Sequence, residues 1–599
     1  MPNASIDGWE KLVPNARQIA PPTSRHLDRV GNARVIVKNN ERCHREKTMT
    51  LDFTPRAGSH PAAEMYAHEF KAGRLSRREF LSRTTALGMT AAAAYTLGGL
   101  GAPAEAGSHM AAGGTMKVQQ EVMALKDPRT WDWTQISNFA RGWLEYLVQY
   151  ERDGSFTPML LEGWEVNDDA TEYTLKVRPG VKWNNGEDFT GENLVWLVNY
   201  WCDKTVEGNS MAGRMASLID PATNKARDGA ITLVDPMTVK LVASASDITI
   251  LPGMADYPAA VIHPSTNLQD ILATPVGTGA YLPESLEVGV KAVLVKNANH
   301  SYWGTGAALD RIEFVDYGSD PAAWVAAVDS GEVDMLYQNV GEFIAIADGI
   351  GWTKSEVVTG ATIVARFNQV TEKEGKVVFG ETKTRQALAQ AVDNAIVLEL
   401  GYDGLGVTAD NHHVAPVHPE YADIGRPTHD PAGAKALLGE VGMADYEFEL
   451  ITLDDGFNKN SGDAIAAQIR DAGINIKRTV LPGSTFWNDW TKYPFSITEW
   501  NHRPLGVQVL ALAYRSGEAW NESGFANAEF DAKLAQAMSI ADADNRRAVM
   551  AEIETILRDN AVFIQPYWRS LYRHHKPEVV GGDMHPSFEI HVHKLGFKA

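Results

Sequence analysis

Three histidines stand close together at His412, His413 and His418, in the string DNHHVAPVHPEY. Two imidazoles share one ion most readily at helical spacing, and this string lacks that spacing and holds two prolines, so it reads as a loop with incidental histidines. Thiolate sites need more sulfur than Cys43 and Cys202 supply, and Cys202, in the apolar run Tyr200-Trp201-Cys202, reads as a packed core thiol. Gly208-Asn209-Ser210-Met211-Ala212 falls one glycine short of the turn that exposes a hydrolase serine. Gly277-Thr278-Gly279 opens like a dinucleotide fingerprint, but Leu282 stands where the third glycine belongs and Pro283 follows, so no helix N-terminus receives a pyrophosphate. There is no phosphate loop of the GxxxxGK type. These readings point away from an enzyme, a metal centre or a bound cofactor, and leave an exported hydrolase as a remote alternative.

The clearest local signal is an address. SRREFLS, residues 76–82, sets Arg77-Arg78 ahead of Phe80-Leu81 and of a mildly apolar run starting at Ala86, the pattern of a twin-arginine export signal. Ala104-Glu105-Ala106 offers a small-x-small cleavage pattern. The run is rich in Gly and Ala and ends at Pro103, short of the roughly 20 strongly apolar residues of a membrane anchor. Residues 1–64 have no sustained period and read as disordered or as lying upstream of a true start at Met65 or Met49, which makes 65–106 the signal region. No cysteine follows the cleavage pattern, so the expected product is periplasmic and free of a lipid anchor.

Beyond residue 106, 40 Lys+Arg stand against 66 Asp+Glu, a balance that repels nucleic acid and anionic lipid and favours solubility. The body alternates strand-like and helix-like segments. YTLKVRP (173–179), TVKLVA (238–243) and KAVLVKN (291–297) alternate apolar and polar residues as strands do. Residues 431–442 predict a helix with Pro at its first turn and a closing Gly, and 384–397, 464–472 and 528–540 predict three more. The mixture is that of α/β lobes.

RPGVKWNNGEDFTGENLVW, residues 178–196, resembles the most characteristic motif of the family-5 solute-binding proteins, the dipeptide- and oligopeptide-binding group of ABC importers. In physical terms it is a strand, glycine turns at Gly180 and Gly186, a corner buried by Val181, Trp183 and Phe189, and a helix capped by Thr190. Segments 127–133, 141–150, 274–304, 309–317, 330–335, 365–397 and 522–537 resemble the family's further segments in the family's order. The resemblance implies a two-lobed periplasmic binding protein fold (cluster C type) with an extra subdomain inserted in the first lobe. Lobe I would span 107–365, with the insertion at about 145–270, lobe II 366–567, and the C-terminal return 568–599. The crossings would fall near Ala365 to Asn368 and Gln565 to Trp568, and the lobes would close over a solute by rotation there. A monomer that hands a short peptide to a membrane permease and ATPase complex is the implied function. An oligosaccharide or opine-like conjugate is the alternative, since 15 of the 16 tryptophans follow the signal.

The loop FSITEWNHRPLG, 495–506, resembles the one that touches ligand in the second lobe. Peptide binders often carry Asp after its Trp, where this chain has Asn501, His502 and Arg503, with Glu499 just before Trp500. Arg503 and Arg366 fit either a bidentate grip on a ligand carboxylate or an ion pair within the protein. Trp500 is a candidate cleft wall, and Asn138, Trp487, Tyr514 and Asn521 are weaker candidates from neighbouring motif positions.

Overall fold

Capped helices open the described chain. The computed structural model describes residues 61–100, 110–318, 320–540 and 543–599. The first stretch holds α1 (Pro61–Lys71), α2 (Arg77–Ala86) and α3 (Ala91–Gly98). Ser76 and Glu79 form a reciprocal capping box, so the paired arginines occupy the first turn of α2. Arg77 donates to the Tyr95 hydroxyl (2.8 Å), which donates to Asp153 (2.6 Å). Arg78 donates to the carbonyl of Arg152 (3.1 Å), and the indole of Trp164 donates to that of Ala86 (3.1 Å). The three helices thus bury Tyr66, Phe80, Leu81 and Tyr95 together and lie against the body. Ala104-Glu105-Ala106 falls outside the described residues. No helix among those described is long and apolar enough to cross a membrane.

Period-two burial builds the sheets. In β1 (Thr115–Gln119), Met116 and Val118 are buried while Thr115 and Lys117 are exposed. A small antiparallel sheet of β2 (Leu161–Val166), β3 (Glu172–Val177), β4 (Ile231–Asp235) and β5 (Thr238–Val242) runs in the order β2-β3-β5-β4. It buries Tyr173, Leu175 and Val177 on one face of β3, as their alternation predicts. After β3, Gly180 (φ 79°) and Gly186 (φ 93°) take left-handed turns that favour glycine, and Val181, Trp183 and Phe189 fill the corner. The Thr190 amide then donates to Asn193 Oδ1 (3.0 Å) and α4 (Gly191–Trp201) begins. Cys202 is buried at its end, where burial pushes the thiol up to about 12.

One long sheet joins both lobes. Besides β1, the strands on its main path are β6 (Tyr281–Glu287), β7 (Lys291–Lys296), β8 (Arg311–Val315), β9 (Met335–Leu336), β10 (Thr353–Phe367), β11 (Phe448–Leu453), β12 (Ile476–Leu481), β13 (Phe495–Trp500) and β14 (Tyr567–His575), and the short strands Gly406–Thr408 and Phe563–Ile564 pair at its side. The order is β6-β7-β8-β1-β9-β14-β10-β13-β11-β12, so the antiparallel pair β14-β10 lies between a first-lobe half and a second-lobe half. A second core around Phe367, Phe379, Phe448 and Phe495 belongs to the second half. The first core takes in the small sheet and also α6 (Gly506–Ala513) and helix Ala528–Met538. Residues 384–397, expected as one helix, form two, Thr382–Gln390 and Asn394–Tyr402. Asp393 interrupts them because its carboxylate caps the second by accepting from Ala395 N–H (2.9 Å). Residues 464–472 are the second half of α5 (Gly456–Asp471).

The joining strand is bent. Its register with β14 shifts between Val358 and Thr362, and within that shift the Gly360 amide donates to His502 Nδ1 (3.0 Å). A Cβ at position 360 would lie 2.9 Å from the His418 ring and 3.2 Å from His502 Nδ1. Gly360→Ala is therefore expected to lower stability by about 1–3 kcal/mol, the usual cost of overpacking, in urea unfolding. An unchanged urea midpoint would show that the bend has room for a methyl group.

Candidate functional site

Parallel strands present their carboxyl ends to one place, which is where open α/β sheets put ligands. Here the ends of β1, β8, β9 and β11 border a cavity of about 260 Å³ with walls from both lobes. Glu121 follows β1, Asp316 follows β8, Tyr337 and Gln338 follow β9, Asp455 follows β11, and Glu499 lies in β13. Trp133 and Trp487 meet across it with ring centroids 4.3 Å apart.

Charge in this cavity is of one sign. Asp316 accepts from the amides of Val122 (2.8 Å) and Gly318 (2.8 Å). Asp455 caps α5, accepting from the amide (2.9 Å) and the side chain (2.8 Å) of Asn458. Glu499 accepts from Arg569 Nη1 (3.0 Å), whose Nη2 donates to Gln338 (2.7 Å). Burial, then Asp316 and Asp455, push the Glu121 carboxyl up to about 7. Burial and Glu499 raise Asp455, and burial together with Glu121 raises Glu499 against the pull of Arg569.

Of the residues singled out from sequence, Glu499 and Trp487 line this cavity. Trp500, Asn501 and Arg503 line a small side cavity of about 20 Å³ that shares Trp133 and Glu499 with it. Arg503 is buried in an ion pair with Asp256 (2.9 Å), which also binds Arg214 (2.5 Å). Burial opposes the charge on Asp256, but the two guanidinium groups hold its carboxyl below the usual range. Asn501 donates to Thr134 Oγ1 (3.0 Å) and the Trp500 indole to Glu522 (2.8 Å). Arg366 is fully buried, paired with Glu522 (2.6 Å) and donating to the carbonyls of Tyr493 and Trp490. His502 accepts from Gly360, Tyr514 meets His413 Nδ1 (2.7 Å), Asn521 donates to three carbonyls, and Asn138 donates to Phe588 O (3.2 Å). These last residues hold loops together away from the cavity walls. Glu121, Asp316 and Asp455 were not singled out. Each stands just past a strand end, a position whose meaning shows only when the sheet order is known.

Among the described residues, His585, Glu589 and His591 bring ligand atoms within 4.8 Å of one another. Each is already engaged: Glu589 Oε2 is in an ion pair with Arg141 (2.8 Å) and meets His591 Nε2 (2.9 Å), while His585 meets the Tyr150 carbonyl (3.1 Å) and accepts from the Ser587 amide (3.2 Å). An ion there would have to displace a buried guanidinium.

The profile of the bacterial extracellular solute-binding proteins, family 5 Middle, matches residues 155–521. The nickel-binding periplasmic protein of Escherichia coli (strain K12) is 24% identical over 478 residues, which cover 73% of this chain and 85% of that protein. The periplasmic binding protein DppA of Helicobacter pylori, solved with the peptide STSA, superposes with a TM-score of 0.71 at 17% identity over 82% of this chain and 99% of its own. The A. tumefaciens R10 protein AgaA, solved with agropinic acid, gives 0.72 at 21% identity over 81% and 99%. The fold is that of the two-lobed periplasmic binding proteins.

The raised carboxyl at Glu121 makes stability depend on pH. An acid whose pKa is higher in the folded chain than in the unfolded one binds its proton more tightly when folded, so its contribution is most favourable at low pH. That contribution is lost as pH rises from the ordinary carboxyl value of 4.5 through about 7. Glu121→Gln is expected to flatten the fall in melting temperature between about pH 5 and pH 7.5. Parallel curves for the variant and the parent would show that Glu121 titrates normally.

Proposed function

We propose that this chain, which belongs to the family-5 bacterial extracellular solute-binding proteins, captures a short peptide between its lobes in the periplasm and delivers it to the permease and ATPase of an ABC importer. Its family and fold are those of transport proteins. The observation that carries the peptide reading is the cavity at the strand ends. Both lobes wall it, it is small enough for a few residues of peptide, and its carboxylates suit a ligand ammonium group. The structural likeness to DppA, which was solved with a peptide, supports the same reading. A second reading is an opine-like conjugate. It is favoured by the Trp133–Trp487 pair, which offers flat apolar walls, and by the equal likeness to AgaA. Mass spectrometry of the solute retained through native purification separates the two.

Capture requires the lobes to close about the β10–β14 crossings, near residues 365–368 and 565–568. Small-angle scattering is expected to show a smaller radius of gyration with the retained solute than after its removal. Trp487→Ala should weaken that solute by roughly tenfold or more through lost aromatic contact. An unchanged radius at saturation would remove closure, and unchanged affinity would remove Trp487 from the site.

Residues 65–106 are read as the export signal region of the twin-arginine route, which carries folded cargo, and with the capping box at Ser76 and Glu79 both arginines stand at a helix start. Replacing Arg77 and Arg78 together with lysine should leave precursor in the cytoplasm. Normal periplasmic accumulation of that double variant in fractionated cells would count against the reading.

A further inference from the structure

Each charged residue lining the cavity is a carboxylate: Glu121 and Asp316 from the first lobe, Asp455 and Glu499 from the second. Arg569 pairs with Glu499 and also opposes the rise of the Asp455 carboxyl, and it is the single guanidinium beside these four acids. Asp316 and Asp455 are satisfied only by amide groups, and Glu121 is raised by burial and by its acidic neighbours, with no cation beside it. Four carboxylates therefore face one small space with a single counter-charge among them. The apolar part of the wall is aromatic. Trp133 is only 7% exposed, and its indole nitrogen has no hydrogen-bond partner although tryptophan N–H groups usually find one when buried.

We propose that the solute is an organic dication, a small molecule or basic dipeptide with two ammonium or guanidinium groups, one paired with Glu121 and Asp316 of the first lobe and the other with Asp455 of the second. This rests on the reading of the cavity as the solute site. Carboxylates from opposite lobes raise one another's affinity for protons, so closing the empty cleft brings like charges together, while a ligand with a positive charge at each end removes the conflict and bridges the lobes. The tryptophan walls favour an organic cation over a bare metal ion, because ring faces attract ammonium and guanidinium groups. The carboxylates agree: Asp316 and Asp455 already accept two hydrogen bonds each, which suits a hydrogen-bonded cation better than an ion that needs a full oxygen shell.

The test is calorimetry and scattering on the full chain, freed of retained solute, with lysyl-lysine, 1,5-diaminopentane, alanyl-alanine, glutamyl-glutamate and nickel chloride, in low and high salt. The dications are expected to bind at least tenfold tighter than alanyl-alanine, to shrink the radius of gyration, and to weaken with salt. Asp455→Asn keeps the helix cap, and together with Glu121→Gln it should remove the preference for dications while leaving the melting curve cooperative. Alanyl-alanine or glutamyl-glutamate binding as tightly as the dications would overturn the inference and leave solute capture standing. Nickel binding that is lost in the double variant, without dication binding, would overturn it in favour of a metal site. If no solute binds and none is retained through native purification, the capture reading falls and this inference falls with it.

Discussion

A guanidinium on the strand that joins the lobes constrains the rest of the structure. Arg569 is fully buried in β14, where it cannot shed its proton, so its surroundings have to supply an anion and further acceptors. Glu499 of β13 and Gln338 after β9 supply them, one from each half of the sheet. Phe457 lies under the guanidinium at 4.0 Å and Tyr402 at 5.2 Å, so its flat faces are covered by rings. The pairing of β14 with β10 sets these partners at the right height. A slip of one residue would turn Arg569 to the opposite face of the sheet.

Much of the architecture was legible in short stretches of sequence because its causes are short-range. The corner at 178–196 needs two left-handed glycines, three buried apolar residues and a cap, and all lie within twenty residues. Strands such as β3 and β5 declare themselves by alternation alone. The break at Asp393 was missed because an Asp inside an apolar helical pattern looks like a surface residue until its carboxylate is seen to cap a new helix. Arg366 and Arg503 show the converse limit. An arginine near a cleft motif reads equally well as a ligand grip or as an internal ion pair, and the deciding partners, Glu522 and Asp256, lie far away along the chain. The acidic cavity wall was illegible for the same reason, since Glu121, Asp316, Asp455 and Glu499 converge only through the order of a sheet whose neighbours are not neighbours in sequence.

The two charge clusters around this cleft act in opposite senses. Asp256 sits between Arg214 and Arg503, so the loop after β13 is tied to the region that carries the small sheet by one buried carboxylate shared between two guanidinium groups. Breaking such a contact leaves uncompensated buried charge, which makes it nearly all-or-none. The cavity a few residues away gathers carboxylates with a single guanidinium among them, and low dielectric strengthens their mutual repulsion as it strengthens the attraction around Asp256. In the proposed capture, a bound cation relieves that repulsion, and a ligand shifts an equilibrium by no more than its differential affinity for the two states. On that reading the acidic wall is part of the closing mechanism rather than a passive lining, since like charges from the two walls oppose closure of the empty cleft.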